Sequence, residues 1–198
     1  MVDYFAARWV VDPLRLFDCA VVNDGAVCVI VTGAARARDL RKKPVYIAGM
    51  QGLHAGRDEF VFAPPGLGIW QQPQTAEIRR RRRAFEMAGI GNAEVDGFYC
   101  LDSFSPLVLF SLEEFGYCKP GEAAAWICEN GHGELGGTLP INSNGGHLSE
   151  GMLGGWAHQV EAVRQLRGEC GDRQIRDARV LHFGMGQGVS NIYSSEPL

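Results

Sequence analysis

Short apolar runs alternate with segments of helical periodicity along this chain. Residues 26–31, 45–50 and 95–100 are the apolar runs, and the continuous run at 26–31 is typical of a strand buried on both faces of a sheet. Residues 105–115 space their apolar side chains three positions apart, which predicts a helix. A second helix is predicted at 75–89, where Thr75 suits a cap and Gly89 a stop around a partial apolar face. The remaining predictions are a short helix at 34–40, a strand or helix at 123–127, a loop at 131–138, and a strand–glycine turn–strand at 180–190. This alternation predicts an α/β layer structure.

Residues 142–166 combine a glycine loop with a second helical pattern. Gly145 and Gly146 permit positive φ and close backbone approach, so residues 142–151 are predicted to be irregular. A helix is predicted after them, with Ser149 as its N-cap. Its apolar stripe consists of Leu153, Trp156, Val160, Val163 and Leu166. Such a loop is either a site where a ligand approaches the backbone or a tight strand-to-helix connection without a ligand.

Composition excludes several classes of protein. With 198 residues, 46% hydrophobic and 21% charged, the chain suits one globular domain or slightly more. Its net charge of −4 gives no global attraction for nucleic acid. We find no apolar run long enough for a membrane span and no signal pattern, and therefore expect a cytoplasmic protein. Six cysteines without a Cys-x-x-Cys pair indicate reduced structural thiols, and no metal site is expected.

Five consecutive arginines, residues 79–83, lie in one predicted helix and must point all around its axis. They form either a solvated face or a binding surface for an anion. The anion would be the phosphates of coenzyme A or an acidic subunit; nucleic acid is a weaker third reading.

Four ordered motifs resemble the thiolase family, and most closely its sterol-carrier or lipid-transfer branch. One motif joins two patterns, Asn-x-x-Gly-Gly-x-x-Ser-x-Gly from Asn142 and Gln-Leu-Arg-Gly-Glu-x-Gly-x-Arg-Gln from Gln165. Asp24-Gly25-Ala26, residues 95–105 and residues 182–188 follow the family's order. The resemblance covers nearly the whole chain and concerns the C-terminal half of the family.

The resemblance implies a mixed five-stranded sheet between helices, duplicated in two halves of the complete fold. Residues 1–40 would be a linking segment and the last strand of the N-terminal half, and residues 41–198 the C-terminal domain. The family's nucleophilic cysteine sits in the absent N-terminal half. A strand such as 26–31 needs neighbours for its backbone. We therefore expect either a fragment or, because Met1 opens a coherent segment, one subunit of a split enzyme.

Several positions depart from the family pattern. Met152 stands where thiolases have histidine and related aldolases have tyrosine, and Gly154 where those aldolases have histidine. Leu101 replaces an asparagine, histidine or tyrosine, and His182 is the nearest equivalent of a terminal cysteine. Because methionine and leucine cannot transfer protons, the usual thiolase reaction with the usual residues is not expected.

The resemblance and the polar residues left in these loops give the candidate site. The catalytic candidates are His182 as acid/base, Asp102 and His147. Each has an alternative: a structural histidine, a helix cap for residues from Ser105 onward, and an exposed loop residue. The substrate-binding candidates are Gly145, Gly146, Ser149, Gly184, Gly186, Phe104 and Met152. His158 is expected to be structural, and nothing marks Cys100 as a nucleophile.

The function that the resemblance implies is a thiolase-like subunit acting on a coenzyme A thioester, either an acyltransferase or a retro-aldol lyase. No covalently bound cofactor is expected. The implied partners are an N-terminal-half thiolase-like chain, a zinc-ribbon/OB-fold protein and a second copy in a dimeric assembly. The alternative is a non-catalytic scaffold or lipid carrier that completes the fold of an active partner.

Overall fold

The computed structural model describes residues 1–52, 82–130, 134–185 and 189–198. The helices are α1 (Val2–Ala6), α2 (Ala34–Ala37), α3 (Arg83–Ala88), α4 (Pro106–Glu114), α5 (Ala123–Asn130), α6 (Gly146–Ser149) and α7 (Trp156–Arg167). The strands are β1 (Trp9–Val11), β2 (Leu14–Arg15), β3 (Tyr46–Gln51), β4 (Gly97–Cys100), β5 (Val180–Met185) and β6 (Val189–Ser194). No helix in these ranges is long and apolar enough to cross a membrane.

Four of the strands form a mixed sheet with the order β3-β6-β5-β4. β6 pairs antiparallel with β3 and β5, whereas β4 and β5 are parallel. Ile141 bridges Phe98 in parallel on the outer side of β4, so a fifth strand position is occupied by a single bridged residue. The predicted α/β layered fold is confirmed.

Helices cover the two faces of this sheet and divide the core. On one face, Phe85 of α3 and Leu112 of α4 pack with Phe98. On the other face, Leu166 of α7 packs with Leu181 and with the neighbouring Tyr99, Phe183 and Tyr193. Because side chains alternate along a strand, consecutive residues of β4 and β5 serve different layers, which decides where each candidate residue points.

Helix α7 begins later than its apolar pattern predicts. Gly154 and Gly155 have φ of 58° and 82°, a left-handed conformation that interrupts a right-handed helix. The helix therefore starts at Trp156 rather than 153, with Gly155 as its N-cap. The prediction of Ser149 as the N-cap was wrong, because Ser149 ends the separate turn α6.

The face that α7 buries also differs from the predicted stripe. Buried positions include the polar residues His158, Glu161 and Gln165, while Trp156 is 50% exposed. Buried polar side chains need partners. His158 contacts Asp102, Glu161 pairs with Arg173, and Gln165 accepts the backbone N–H of Ile175. The polar residues of α7 thus lie on its buried face, and His158 contacts Asp102 of the candidate site.

The other predicted elements largely occur where expected. α4 carries Pro106 in its first turn, residues 123–127 are helical within α5, and Gly89 ends α3 with φ of 69°. The helix predicted at 34–40 is shorter, Ala34–Ala37. The start of the helix predicted at 75–89 and the arginines at 79–81 lie outside the described residues, as does part of the loop predicted at 131–138.

Residues 26–31 were predicted to be a strand, and in the described chain they belong to no strand. Ile30 and Val31 are 84% and 73% exposed. None of the pairings among the described strands includes this segment, so its backbone lacks the neighbouring strand that the prediction requires. The first residues of the chain are also exposed, including Val2 and Phe5.

Candidate functional site

The candidate site lies beyond the carboxyl end of β4, where the following loop meets the glycine loop. Asp102 is 3% exposed. Its carboxylate accepts hydrogen bonds from the backbone N–H groups of His147 at 2.7 Å and Leu148 at 3.4 Å. A Cβ at Gly146 would lie 2.0 Å from Asp102 Oδ2, so only glycine permits this contact. The sequence-predicted residues Asp102, Gly146 and His147 are therefore brought together.

His158 of α7 approaches the same carboxylate. Its Nε2 lies 3.2 Å from Asp102 Oδ1, with both side chains buried. Burial alone would raise the pKa of Asp102, but hydrogen bonds from His158 and from the His147 backbone hold that pKa below its ordinary value. Asp102 is therefore a carboxylate anchor that joins β4, the glycine loop and α7.

The His147 imidazole is fixed by contacts at both nitrogens. Gly155 donates its backbone N–H to Nε2 at 3.0 Å, and Nδ1 lies 3.3 Å from Ser103 Oγ. A backbone N–H can only donate, so Nε2 is the acceptor and the proton sits on Nδ1. Burial, followed by the neighbouring His158, lowers the pKa of His147, and the Asp102 charge opposes this only in part. The ring is therefore neutral near pH 7.

Ser103 stands between this imidazole and Met152. Its hydroxyl is half-buried and lies 3.8 Å from Met152 Sδ. Met152 is held in turn by Asn23, whose Oδ1 accepts the Met152 N–H at 2.6 Å. The N-terminal segment thus closes one side of the site, and Ala20 N donates to Ser103 O at 2.9 Å.

A groove of about 480 Å³ lies between the N-terminal segment and the start of α7. It is lined by Gly25, Ala26, Val27, Val29, Leu153 and Trp156. Gly25 is close to the leucine, since a Cβ there would lie 2.5 Å from Leu153 Cδ2. The groove is bordered by the same N-terminal segment that carries the exposed residues 26–31.

His182 does not join this site. It is fully buried on the sheet face covered by α3 and α4, with Phe85, Phe98 and Phe115 around its ring. Its Nδ1 lies 2.8 Å from Tyr117 Oη and its Nε2 2.8 Å from Ser190 Oγ. Burial lowers the pKa of His182 to about 3, and Arg82 adds to this effect. This environment favours the structural alternative over an acid/base role.

The substrate-binding candidates separate into three groups. Gly145, Gly146 and Met152 adjoin the Asp102–His147 contact, and Ser149 and Phe104 are exposed nearby. Gly184 packs instead under the Phe115 ring, since a Cβ there would lie 2.4 Å from Cε2. Gly186 lies outside the described residues.

Two residues of the cluster were not among the sequence candidates for the site, Ser103 and His158. Ser103 was visible as a polar neighbour of Asp102, but nothing in the sequence paired it with residue 147. His158 becomes part of the cluster because α7 buries the face that carries it, beside the predicted apolar stripe. Cys100 is buried, and burial raises the pKa of its thiol, so it does not provide a nucleophile. All six cysteines are free thiols.

Comparison with known proteins places this geometry in a family context. The chain is 41% identical over 169 residues to the 17-hydroxy-3-oxo-4-pregnene-20-carboxyl-CoA lyase of Mycobacterium tuberculosis, which covers 84% of this chain and 42% of that protein. It is 34% identical over 177 residues to the steroid side-chain-cleaving aldolase of Thermomonospora curvata, with the same two shares. The chain therefore spans less than half of the length of these relatives.

A solved structure and a family match agree with these relatives. The structure named Ltp2-ChsH2(DUF35) aldolase superposes with a TM-score of 0.80 at 29% identity, covering 100% of this chain and 52% of that chain. Residues 73–196 match the family described as thiolase C-terminal domain-like. The chain belongs to the thiolase C-terminal domain-like family.

Proposed function

We propose that the chain is the C-terminal half of a thiolase-type enzyme that forms or breaks a carbon–carbon bond beside a coenzyme A thioester. The observation that carries this proposal is the junction at Asp102. There, a buried carboxylate joins the β4 loop, the glycine loop and α7 in a domain of the matching family. The names of the relatives, a CoA lyase and an aldolase, favour retro-aldol cleavage over acyl transfer.

In retro-aldol cleavage a base removes the proton of a β-hydroxyl group, and the bond between the α- and β-carbons breaks. The electron pair passes to the α-carbon as a thioester enolate, which a proton then quenches. This chain would contribute Asp102, which holds the loops of the site together, and the neutral imidazole of His147. His182 supports the core behind it. The base, or a cysteine nucleophile if the reaction is acyl transfer, would come from the N-terminal half.

The N-terminal half is the proposed partner, carried by another chain. Residues 26–31 are apolar and exposed, as in Ile30 and Val31, and exposed apolar surface of this kind marks interaction sites. The other half of the fold would add a sheet edge on which they form a strand. The solved aldolase carries a second component in its name, and we extend the proposal to a zinc-ribbon/OB-fold partner and a dimeric assembly.

Co-expression with the adjacent reading frame tests this function. The purified complex should cleave a β-hydroxyacyl-CoA to a carbonyl compound and a shorter acyl-CoA, measured by liquid chromatography and mass spectrometry. Asp102→Asn should lower the turnover number about 100-fold or more, since it loosens the loops that hold the reacting groups. A stable complex that turns over neither β-hydroxyacyl-CoA nor 3-oxoacyl-CoA would contradict the proposal.

A second candidate function is a non-catalytic scaffold or lipid carrier. Leu101 and Met152 bring no proton-transfer group to the site, and the groove of about 480 Å³ is lined largely by apolar residues. In this case the complex would bind a fluorescent fatty acid and release it unchanged. Leu153→Asp, which places a charge in the groove, would weaken that binding.

A further inference from the structure

We propose that Ser103 is a catalytic residue whose hydroxyl donates a hydrogen bond to the carbonyl oxygen of the bound thioester, and that His147 positions this hydroxyl. The inference rests on the proposed function, which supplies the thioester. The group that polarises the thioester carbonyl would thus be a pair of residues, Ser103 and His147, that are 44 positions apart in sequence.

The first step is the direction of the hydrogen bonds. The backbone N–H of Gly155 donates a hydrogen bond to Nε2 of His147, so the neutral imidazole carries its proton on Nδ1 and donates from there. The acceptor on that side is Ser103 Oγ at 3.3 Å. A serine hydroxyl has two acceptor sites and one donor. Because one acceptor site is filled by His147, the Ser103 proton remains for a third group.

The second step concerns the group that the Ser103 proton faces. Its neighbour is Met152 Sδ at 3.8 Å, and a thioether sulfur is a weak acceptor. The methionine side chain is flexible, so a ligand oxygen can replace the sulfur without moving the backbone. The Ser103 hydroxyl therefore faces a weak acceptor, and a carbonyl oxygen would accept its hydrogen bond better.

The third step is the rigidity of the arrangement. Asp102 binds the backbone N–H of His147 and the Nε2 of His158, so the loop and the helix that hold the imidazole are tied to one carboxylate. Donors that are fixed before the reaction stabilise the charge that develops in it. Both proposed reactions develop that charge on the thioester oxygen, as an enolate in cleavage or as an oxyanion in acyl transfer.

The fourth step is the lack of a competing donor on the neighbouring side chains. Leu101 lies two residues before Ser103 in the chain, and Met152 contacts the Ser103 hydroxyl. The side chains of both residues lack a hydrogen-bond donor. His147 cannot reach a ligand directly, since both of its nitrogens are occupied. Within the described part of the cluster, the Ser103 hydroxyl is the group that can accept a hydrogen bond from His147 and donate one to a ligand.

The test uses the assembled complex and two matched ligands, butanoyl-CoA labelled with ¹³C at the carbonyl and its thioether analogue S-butyl-CoA. Isotope-edited infrared spectroscopy should show a lower carbonyl stretching frequency in the wild-type complex than in water. Ser103→Ala should remove this shift and weaken binding of butanoyl-CoA about tenfold, while binding of S-butyl-CoA stays the same. Ser195→Ala, at the opposite end of the sheet beside Arg179, should leave the shift and both affinities unchanged.

The role of His147 is tested in the same complex. His147→Ala should reduce the carbonyl shift, and His147→Asn, whose amide nitrogen can replace Nδ1–H, should restore part of it. A full shift in Ser103→Ala, or equal losses for both ligands, would overturn the assignment while leaving the proposed function standing. Failure of the wild-type complex to bind either ligand would overturn both.

Discussion

Gly155 donates its backbone N–H to Nε2 of His147 at 3.0 Å, and this contact fixes the imidazole proton on Nδ1. The glycine itself has φ of 82°, and a Cβ there would lie 2.7 Å from Phe183 Cζ. Backbone conformation, core packing and the protonation pattern of the site therefore meet at one residue.

Gly155→Ala should destabilise the protein more than Gly154→Ala does. Both glycines have positive φ, which costs an alanine on the order of 1 kcal/mol, but a Cβ at Gly154 meets nothing within 4 Å. The additional loss for Gly155→Ala should be about 1–3 kcal/mol, from overpacking against Phe183. Urea denaturation of the two variants measures the difference. Equal losses would show that the close approach to Phe183 is not rigid.

Asp102→Asn should lower stability by about 1–3 kcal/mol, because an amide in place of the carboxylate weakens the acceptor of a buried backbone N–H. The depressed pKa of Asp102 means that its contribution is present above the ordinary pKa and is lost as pH falls through the folded value. The variant should therefore lose stability more slowly than wild type in acid. Asp172→Asn, on a residue that is exposed, serves as the control.

His182 should make the protein less stable in mildly acidic solution. Its pKa of about 3 in the folded state lies below the unfolded value of about 6.5. Between these values the unfolded chain binds the proton that the folded chain excludes, so stability falls as pH decreases, by up to ~1.4 kcal/mol per pH unit. The stability of His182→Gln should depend less on pH over this interval. Identical pH slopes would contradict the buried, neutral state of His182.

The sequence predicted much of the fold because the decisive patterns are local. The apolar runs gave β3 and β4, Pro106 marked the start of α4, and Gly89 marked the end of α3. Asp102 and His147 were candidates because they flank motifs of the family. Their contact follows from those motifs folding together.

The rest depended on distances that sequence does not encode. In sequence, His182 precedes a glycine-rich stretch, as a site residue would. The alternation of side chains along β5 instead directs it into the aromatic layer of Phe98 and Phe115. The apolar stripe of α7 suggested a helix start at 153, and two left-handed glycines delayed it to Trp156. The helix also buries the face that carries His158 instead of the one that carries Trp156, and this orientation places His158 against Asp102.

The N-terminal segment raises a prediction about assembly. Asp18 anchors this segment, since its Oδ1 accepts a hydrogen bond from Ser105 Oγ at 2.6 Å. The backbone N–H of Ala20 also donates to the carbonyl oxygen of Ser103 at 2.9 Å. Ser105→Ala should free residues 26–31 from a defined position and weaken association with the N-terminal half. Surface plasmon resonance with the immobilised partner measures this, and Ser195→Ala is the matched control. Equal affinities for the two variants would show that the anchor does not prepare the segment.

The central claim is that residues 26–31 form a strand on a sheet edge that the N-terminal half supplies. Hydrogen–deuterium exchange, measured by mass spectrometry on the chain before and after addition of the N-terminal-half chain, tests it directly. We predict fast exchange at 26–31 in the chain alone and at least a hundredfold slower exchange in the complex, as strand hydrogen bonds form. Slow exchange in the chain alone, or a stable complex with unchanged exchange at 26–31, would contradict the claim.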